Sequence, residues 1–116
     1  MSKENVIVDK SFKFALSVIE LYKVLVQNKE FVISKQLLRS ATSIGANIEE
    51  ASAASTKKDF AYKMSISSKE ARETRYWLKL LDKSQIIEFD YSAYMEDITE
   101  LIRILTAIVK TAQKEQ

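Results

Sequence analysis

The chain has 116 residues and a formal net charge of +2, with one Gly and no Pro, Cys or His. Without Cys and His it lacks thiol nucleophiles, the commonest general base and the usual transition-metal ligands, so we expect no metal, no cofactor and no enzymatic activity. No apolar run exceeds three residues, and Met1–Phe12 carries both charge signs without a signal-peptide core. These features predict a cytoplasmic protein without a membrane partner.

The composition predicts a single all-α domain over residues 1–116. Strands joined by hairpins need Gly and Pro turns that this chain lacks. Polar residues interrupt the apolar periodicity at 27–33, 55–56 and 84–90. Four helices of about 22 to 27 residues with short loops predict an antiparallel up-down-up-down four-helix bundle.

The first two predicted helices differ in the size of their apolar residues. The first, Glu4–Gln27, has a seam of large side chains that includes Phe14 and Val18. The second begins near Ser34, a candidate N-cap, and its seam is small in volume. Gly45 in its middle is costly in helix propensity, which we attribute to a close backbone approach to the third helix.

The third and fourth predicted helices both begin at a capping residue. Thr56, followed three residues later by Asp59, resembles a capping box with Asp in place of Glu and is expected to open the third helix, whose seam again contains small residues such as Ala71. Asp90 is the candidate N-cap of the fourth helix.

The first and fourth helices carry more apolar residues than an isolated bundle needs. Leu16, Val24 and Ile104 fall outside seams that already cover about half of each helix circumference. This excess favours a subunit interface in a homo-oligomer. The alternative is that these are scattered exposed side chains, which any protein surface has.

Positive charge is concentrated on the third helix. Residues 57–83 contain eight Lys or Arg against four Asp or Glu. Cations and one aromatic residue recur there at three- and four-residue spacing, forming what we call the basic stripe: Lys69, Arg72, Arg75, Tyr76, Lys79 and Lys83. Such a stripe is able to neutralise phosphates while its tyrosine stacks on an unpaired base, which indicates RNA or DNA binding. The alternatives are a solvated helix face, or pairing of Arg72 and Arg75 with acids of a neighbouring helix or subunit.

A second group, which we call the polar cluster, is expected to fix the helix register through buried hydrogen bonds. Its members are Arg39, Ser43, Asn47, Glu50 and Glu73. Trp77 beside it is interpreted as a packing or interface anchor. The mid-helix glutamates would suggest a di-iron site in a four-helix bundle, but that site needs histidines, so Glu73 and Glu70 are interpreted as partners for nearby Arg or Lys.

Four motifs carry a family resemblance. They are QLLRSATSI at Gln36–Ile44, NIEEA at Asn47–Ala51, KDF at Lys58–Phe60 and EARETRYWL at Glu70–Leu78. With them the chain resembles the bacterial four-helix-bundle proteins encoded by intervening sequences inside 23S ribosomal RNA genes. Many members of that family carry proline at the position of Gly45 and glycine at the position of Ala51.

This resemblance implies a homo-oligomer, in known cases a ring of five bundles, and a relation to the accessory protein of diversity-generating retroelements. That relative is similar in fold, has a basic surface, and works with a reverse transcriptase and nucleic acid. The leading prediction is therefore a non-enzymatic homo-oligomer, a pentamer on the family pattern, that binds RNA or DNA through the basic stripe. The alternative is an interaction scaffold that docks a partner protein and binds no nucleic acid.

Overall fold

The computed structural model describes residues 3–115, with their side chains from residue 5 onward. Four helices occupy this range: α1 spans Lys3–Gln27, α2 Ile33–Ser52, α3 Lys57–Ser84 and α4 Ser92–Lys114. The described range contains no strand. The all-α, four-helix prediction is therefore confirmed, and the predicted breaks between helices fall where the loops lie.

The helices surround one hydrophobic core. Each helix packs against the next one in the chain and α1 packs against α4, so α1 and α3 lie diagonally opposite each other. The bundle measures 46 × 22 × 20 Å. Every helix contributes fully buried seam residues, among them Val18, Leu37, Leu78 and Leu105. The four seams expected from the periodicity therefore meet in this core.

Small residues bring α2 and α3 close together. The Ser67 hydroxyl donates to the backbone carbonyl of Ile44 at 2.8 Å, and the hydroxyls of Ser40 and Thr74 are hydrogen-bonded at 2.8 Å. All three hydroxyl side chains are fully buried. Because a serine side chain is short, it reaches the backbone of a neighbouring helix only where the two helices approach closely.

Gly45 contacts a different helix from the one expected. A Cβ at this position would lie 3.5 Å from Oγ and 3.8 Å from Cβ of Ser11, which belongs to α1. Those are ordinary van der Waals distances, so the site has room for a methyl group. The expectation that Gly45 serves the approach of α2 to α3 is therefore wrong.

The start of α2 is capped by Glu30 and not by Ser34. The Glu30 carboxylate accepts hydrogen bonds from the backbone N–H of Val32 and Ile33 at 3.0 Å and of Ser34 at 2.6 Å. The Ser34 hydroxyl is buried and donates to the Glu30 carbonyl at 2.7 Å. The N-cap prediction for Ser34 is wrong because α2 already begins at Ile33, and a longer side chain from the preceding loop reaches its free N–H groups.

The other two predicted caps agree more closely with the structure. The Thr56 hydroxyl accepts from the backbone N–H of Asp59 at 3.0 Å, which confirms Thr56 as the N-cap of α3. The reciprocal hydrogen bond of a capping box, from the Thr56 N–H to the Asp59 carboxylate, is not formed among the described residues. Asp90 accepts from the backbone N–H of Ser92 at 3.0 Å. Its carboxylate therefore serves the first residue of α4, but the N-cap position is Tyr91, so the prediction of Asp90 as the N-cap is wrong by one residue.

Candidate functional site

The basic stripe lies on the side of α3 that faces away from the core. The core-facing residues of α3, such as Ala71 and Leu78, are buried, whereas most of the stripe is exposed. Tyr76 is 55% exposed, and Arg75 at the margin is partly buried. The exposed cations are Lys69, Arg72, Lys79 and Lys83. Between its two end lysines the stripe extends for about 21 Å, at 1.5 Å per helical residue.

In the described part of the chain, the cations of the stripe lack carboxylate partners. Lys69, Arg75, Lys79 and Lys83 form no ion pair or hydrogen bond with any side chain described in residues 5–115. Arg72 donates to the hydroxyl of Thr106 on α4 at 3.3 Å. No described carboxylate therefore forms an ion pair with a cation of the stripe.

The charged part of the polar cluster joins α2 to α3. Arg39 binds Glu70 at 3.2 Å and also binds Glu73, and the Glu73 carboxylate accepts the indole N–H of Trp77 at 3.0 Å. The hydrogen bond from Trp77, followed by that from Arg39, holds the pKa of Glu73 below its usual value. The expectation that Glu70 and Glu73 pair with a nearby cation is confirmed.

The remaining members of the polar cluster make separate contacts. Glu50 accepts from the Lys63 ammonium at 2.9 Å. Ser43 and Asn47 each donate at 2.8 Å to a carbonyl of α2 itself, four residues earlier. Both Glu50 and Arg39 are exposed. The five residues therefore do not form one buried network, because the short side chains are satisfied by their own helix and the long ones reach α3 over the surface.

The buried hydroxyls of Ser40, Ser67 and Thr74 take the role in α2–α3 packing that was expected of the polar cluster. In the sequence, Ser67 and Thr74 stand at seam positions of α3. A hydroxyl at a core position of a helix is the signal that could have identified these contacts, because such a group must find a hydrogen-bond partner.

Two tyrosines of α3 project into solvent. Tyr76 makes an edge-on contact with Trp77, with ring centroids 5.2 Å apart and an interplanar angle of 68°. Tyr62, two heptads earlier, is 62% exposed and was not singled out in the sequence. Among the described residues it makes no ring contact. Both side chains thus lie on α3 and are exposed, but of the two only Tyr76 contacts another ring among the described residues.

The excess of apolar residues is exposed on α1 but not on α4. Phe12, Leu16 and Ile19, which we call the α1 apolar face, are 64%, 50% and 37% exposed. Ile104 of α4 is partly buried and packs against the core. The other large apolar side chains exposed within residues 5–115 are Phe31, Val32 and Ile86 in loops and the two tyrosines of α3. The prediction of an apolar surplus on α4 is therefore wrong, because that helix uses its extra residues within the bundle.

The described range also bears on metal sites and on membrane spans. Residues 5–115 contain no group of three or more acidic residues placed to hold a metal ion. None of the four helices, over its described length, combines the extent and hydrophobicity that crossing a bilayer requires.

Comparisons with known proteins agree with the motifs. A family model described as 23S rRNA-intervening sequence protein matches residues 3–107. The 1.70 Å crystal structure of a protein of unknown function from the S23 ribosomal protein family of Bacteroides thetaiotaomicron VPI-5482 matches with a TM-score of 0.89 and 50% sequence identity, over 94% of this chain and 99% of that one. No protein of curated function gives a significant match. The chain therefore belongs to the 23S rRNA-intervening sequence protein family.

Proposed function

We propose that the protein is a non-enzymatic homo-oligomer that binds RNA or DNA, without strong sequence preference, through the basic stripe. The observation that carries this proposal is a line of exposed cations on α3, of which Lys69, Lys79 and Lys83 have no partner within the described chain. Phosphate contacts position a nucleic acid without reading its bases, so a row of lysines binds it with little regard to sequence.

The distribution of charge supports a localised site. The net charge of the chain is only +2, so the whole molecule attracts a polyanion weakly. Residues 86–116 hold six acidic residues against three basic ones, which disfavours contact through α4. Lys63 is excluded from the site because its ammonium is bound to Glu50. The hydrogen bond with Glu50, and next the negative charge of that residue, raise the pKa of Lys63.

The proposal includes an up-down-up-down course of the four helices. Contacts between α2 and α3 support it, because Ser40 meets Thr74 whereas Glu50, further along α2, meets Lys63, which comes earlier on α3. With α1 and α3 diagonal in the bundle, their outer faces point to opposite sides. The α1 apolar face and the basic stripe of one chain therefore do not overlap.

The homo-oligomer is proposed to form through the α1 apolar face, in the ring of five that the family resemblance implies. Light scattering at micromolar concentration is expected to give a particle several times heavier than the 13.3 kDa chain. Leu16→Glu should reduce the particle mass because it places a charge in the contact, while Ala46→Glu on the exposed side of α2 should not. A 13.3 kDa particle for the unmodified protein would refute the homo-oligomer.

Nucleic-acid binding is tested by fluorescence anisotropy on nuclease-treated protein. Labelled single-stranded RNA, single-stranded DNA and duplex DNA are titrated at several salt concentrations. Because each neutralised phosphate contributes about −0.7 to −0.9 to the slope of log affinity against log salt concentration, four contacts predict a slope of about −3. Absence of binding at low salt would overturn the proposal, and would direct the search toward a partner protein docked on the same face.

A further inference from the structure

Tyr76 stands among the cations of the basic stripe. It lies one helical turn after Arg72 and three residues before Lys79, so positive charges flank it about 6 Å and 4.5 Å away along the helix axis. More than half of its side chain is in solvent. Its hydroxyl has no hydrogen-bond partner in the described part of the chain, so no polar contact within the subunit explains this position.

A series of contacts that begins on α2 positions the Tyr76 ring. Arg39, which is also bound to Glu70, holds the Glu73 carboxylate. Glu73 accepts the indole N–H of Trp77 at 3.0 Å, and Trp77 packs against the hydrophobic core. The Trp77 ring in turn lies edge-on to Tyr76 at 5.2 Å. An aromatic ring that is held in place before binding loses less conformational entropy when a ligand stacks on it.

The geometry favours an unpaired base over a base pair. In a duplex the bases stack on one another and offer only their edges in the grooves. An exposed base of a single strand has a free face, and an aromatic side chain between cations is able to stack on that face while the cations hold the neighbouring phosphates. The cations that flank Tyr76 lie on a single helix, which suits contact with one strand.

We infer that the basic stripe selects single-stranded nucleic acid over duplex, with Tyr76 as the stacking surface for an unpaired base and with Trp77, Glu73 and Arg39 as positioning residues. The inference rests on the proposed function and names the ligand class of the same site. The inference connects the basic stripe to the charged part of the polar cluster. Arg39 contacts Glu73, Glu73 contacts Trp77, and Trp77 contacts the Tyr76 ring.

The test compares two exposed tyrosines of the same helix. Binding is measured with a single-stranded oligonucleotide carrying a fluorescent adenine analogue, whose emission is quenched by stacking, and with the corresponding duplex. Tyr76→Ala should weaken single-strand binding at least about fivefold and abolish the quenching. Duplex affinity should change less than about twofold, as expected for a ring that does not contact paired bases. Tyr76→Trp should retain both the single-strand affinity and the quenching. The matched control is Tyr62→Ala, because Tyr62 is an exposed tyrosine of the same helix that does not contact Trp77.

The positioning residues are tested by two separate measurements. The quenching reports the orientation of the Tyr76 ring, and the salt slope reports the number of phosphate contacts. Glu73→Ala should reduce the quenching at saturating protein while the salt slope stays unchanged, because the phosphate-binding cations remain in place. Equal affinities for single strand and duplex, with Tyr76→Ala behaving like Tyr62→Ala, would overturn this inference and leave the proposed function intact. If none of the probes binds at low salt, the proposed function fails and the inference fails with it.

Discussion

The double substitution Lys69→Glu with Lys79→Glu is expected to weaken binding of single-stranded RNA by about a hundredfold or more at low salt. Each reversal replaces an attraction to phosphate by a repulsion, a change of about 2 kcal/mol per site for exposed charges near contact distance. Both lysines are exposed and have no partner in the described chain, so the fold should be retained. Arg72 is avoided because its guanidinium also bonds Thr106 of α4.

The control for this prediction reverses two lysines outside the stripe. Lys35→Glu with Lys110→Glu changes the net charge by the same amount, and both side chains are exposed on other helices. Affinity is read by anisotropy and helix content by circular dichroism. The stripe variant should also have a shallower salt slope by about two, one for each phosphate that is no longer neutralised. Equal reductions of affinity in the two variants would show that only overall charge matters, and an unchanged affinity would remove the basic stripe as the site.

Glu30→Ala is expected to lower the free energy of unfolding by about 2–3 kcal/mol. The Glu30 side chain is nearly buried, at 8% exposure, and it satisfies three backbone N–H groups at the start of α2. Alanine would leave these donors without an acceptor. Urea unfolding at one fixed protein concentration measures the effect, since any self-association makes the apparent stability concentration-dependent.

Glu88→Ala in the loop before α4 is the control for Glu30→Ala. Glu88 is exposed, so its removal should change the stability by less than about 0.5 kcal/mol. If the two variants unfold at the same urea concentration, the capping role of Glu30 is contradicted.

The contribution of Glu30 should depend on pH in a defined direction. Burial on its own would raise the pKa of Glu30, but the hydrogen bonds from Ser34, Ile33 and Val32 outweigh it and lower the pKa. Because the folded-state pKa lies below the unfolded value of about 4.3, the stabilisation is present above that pH and is lost as the pH falls through the folded-state pKa. The stability difference between wild type and Glu30→Ala should therefore be constant near neutrality and shrink in acid. A difference that grows in acid would contradict the assignment.

The fold could be predicted largely from local patterns. Apolar spacing located the seams because it depends only on helix geometry, and Thr56 was identified as a cap because the residue it serves is three positions away. The cap of α2 was missed because it depends on the path of the loop. Lys29 adopts a left-handed conformation there, with φ 66°, directly before Glu30, and no glycine in the loop indicates it.

Prediction of the candidate site was limited in the same way. Residues that share one helix face, such as Lys69 and Lys79, were identified from spacing alone. Contacts between helices depend on the register of α2 against α3, which the periodicity leaves open. The contacts from Arg39 through Glu73 to Trp77 therefore became visible only in the structure. The assignment of extra apolar residues to α1 but not α4 likewise depended on how the helices are rotated about their axes.

The buried hydroxyl contacts between α2 and α3 have a mechanical consequence. A slide of one helix along the other by one turn, about 5.4 Å, would separate Ser67 from the Ile44 carbonyl and Ser40 from Thr74. The two helices are therefore expected to move together as one rigid body. A force applied to the outer side of α3 would be transmitted to α2 without a change of register between the two helices. Tension on a nucleic-acid strand bound as proposed would then tilt the whole pair of helices and not slide one past the other.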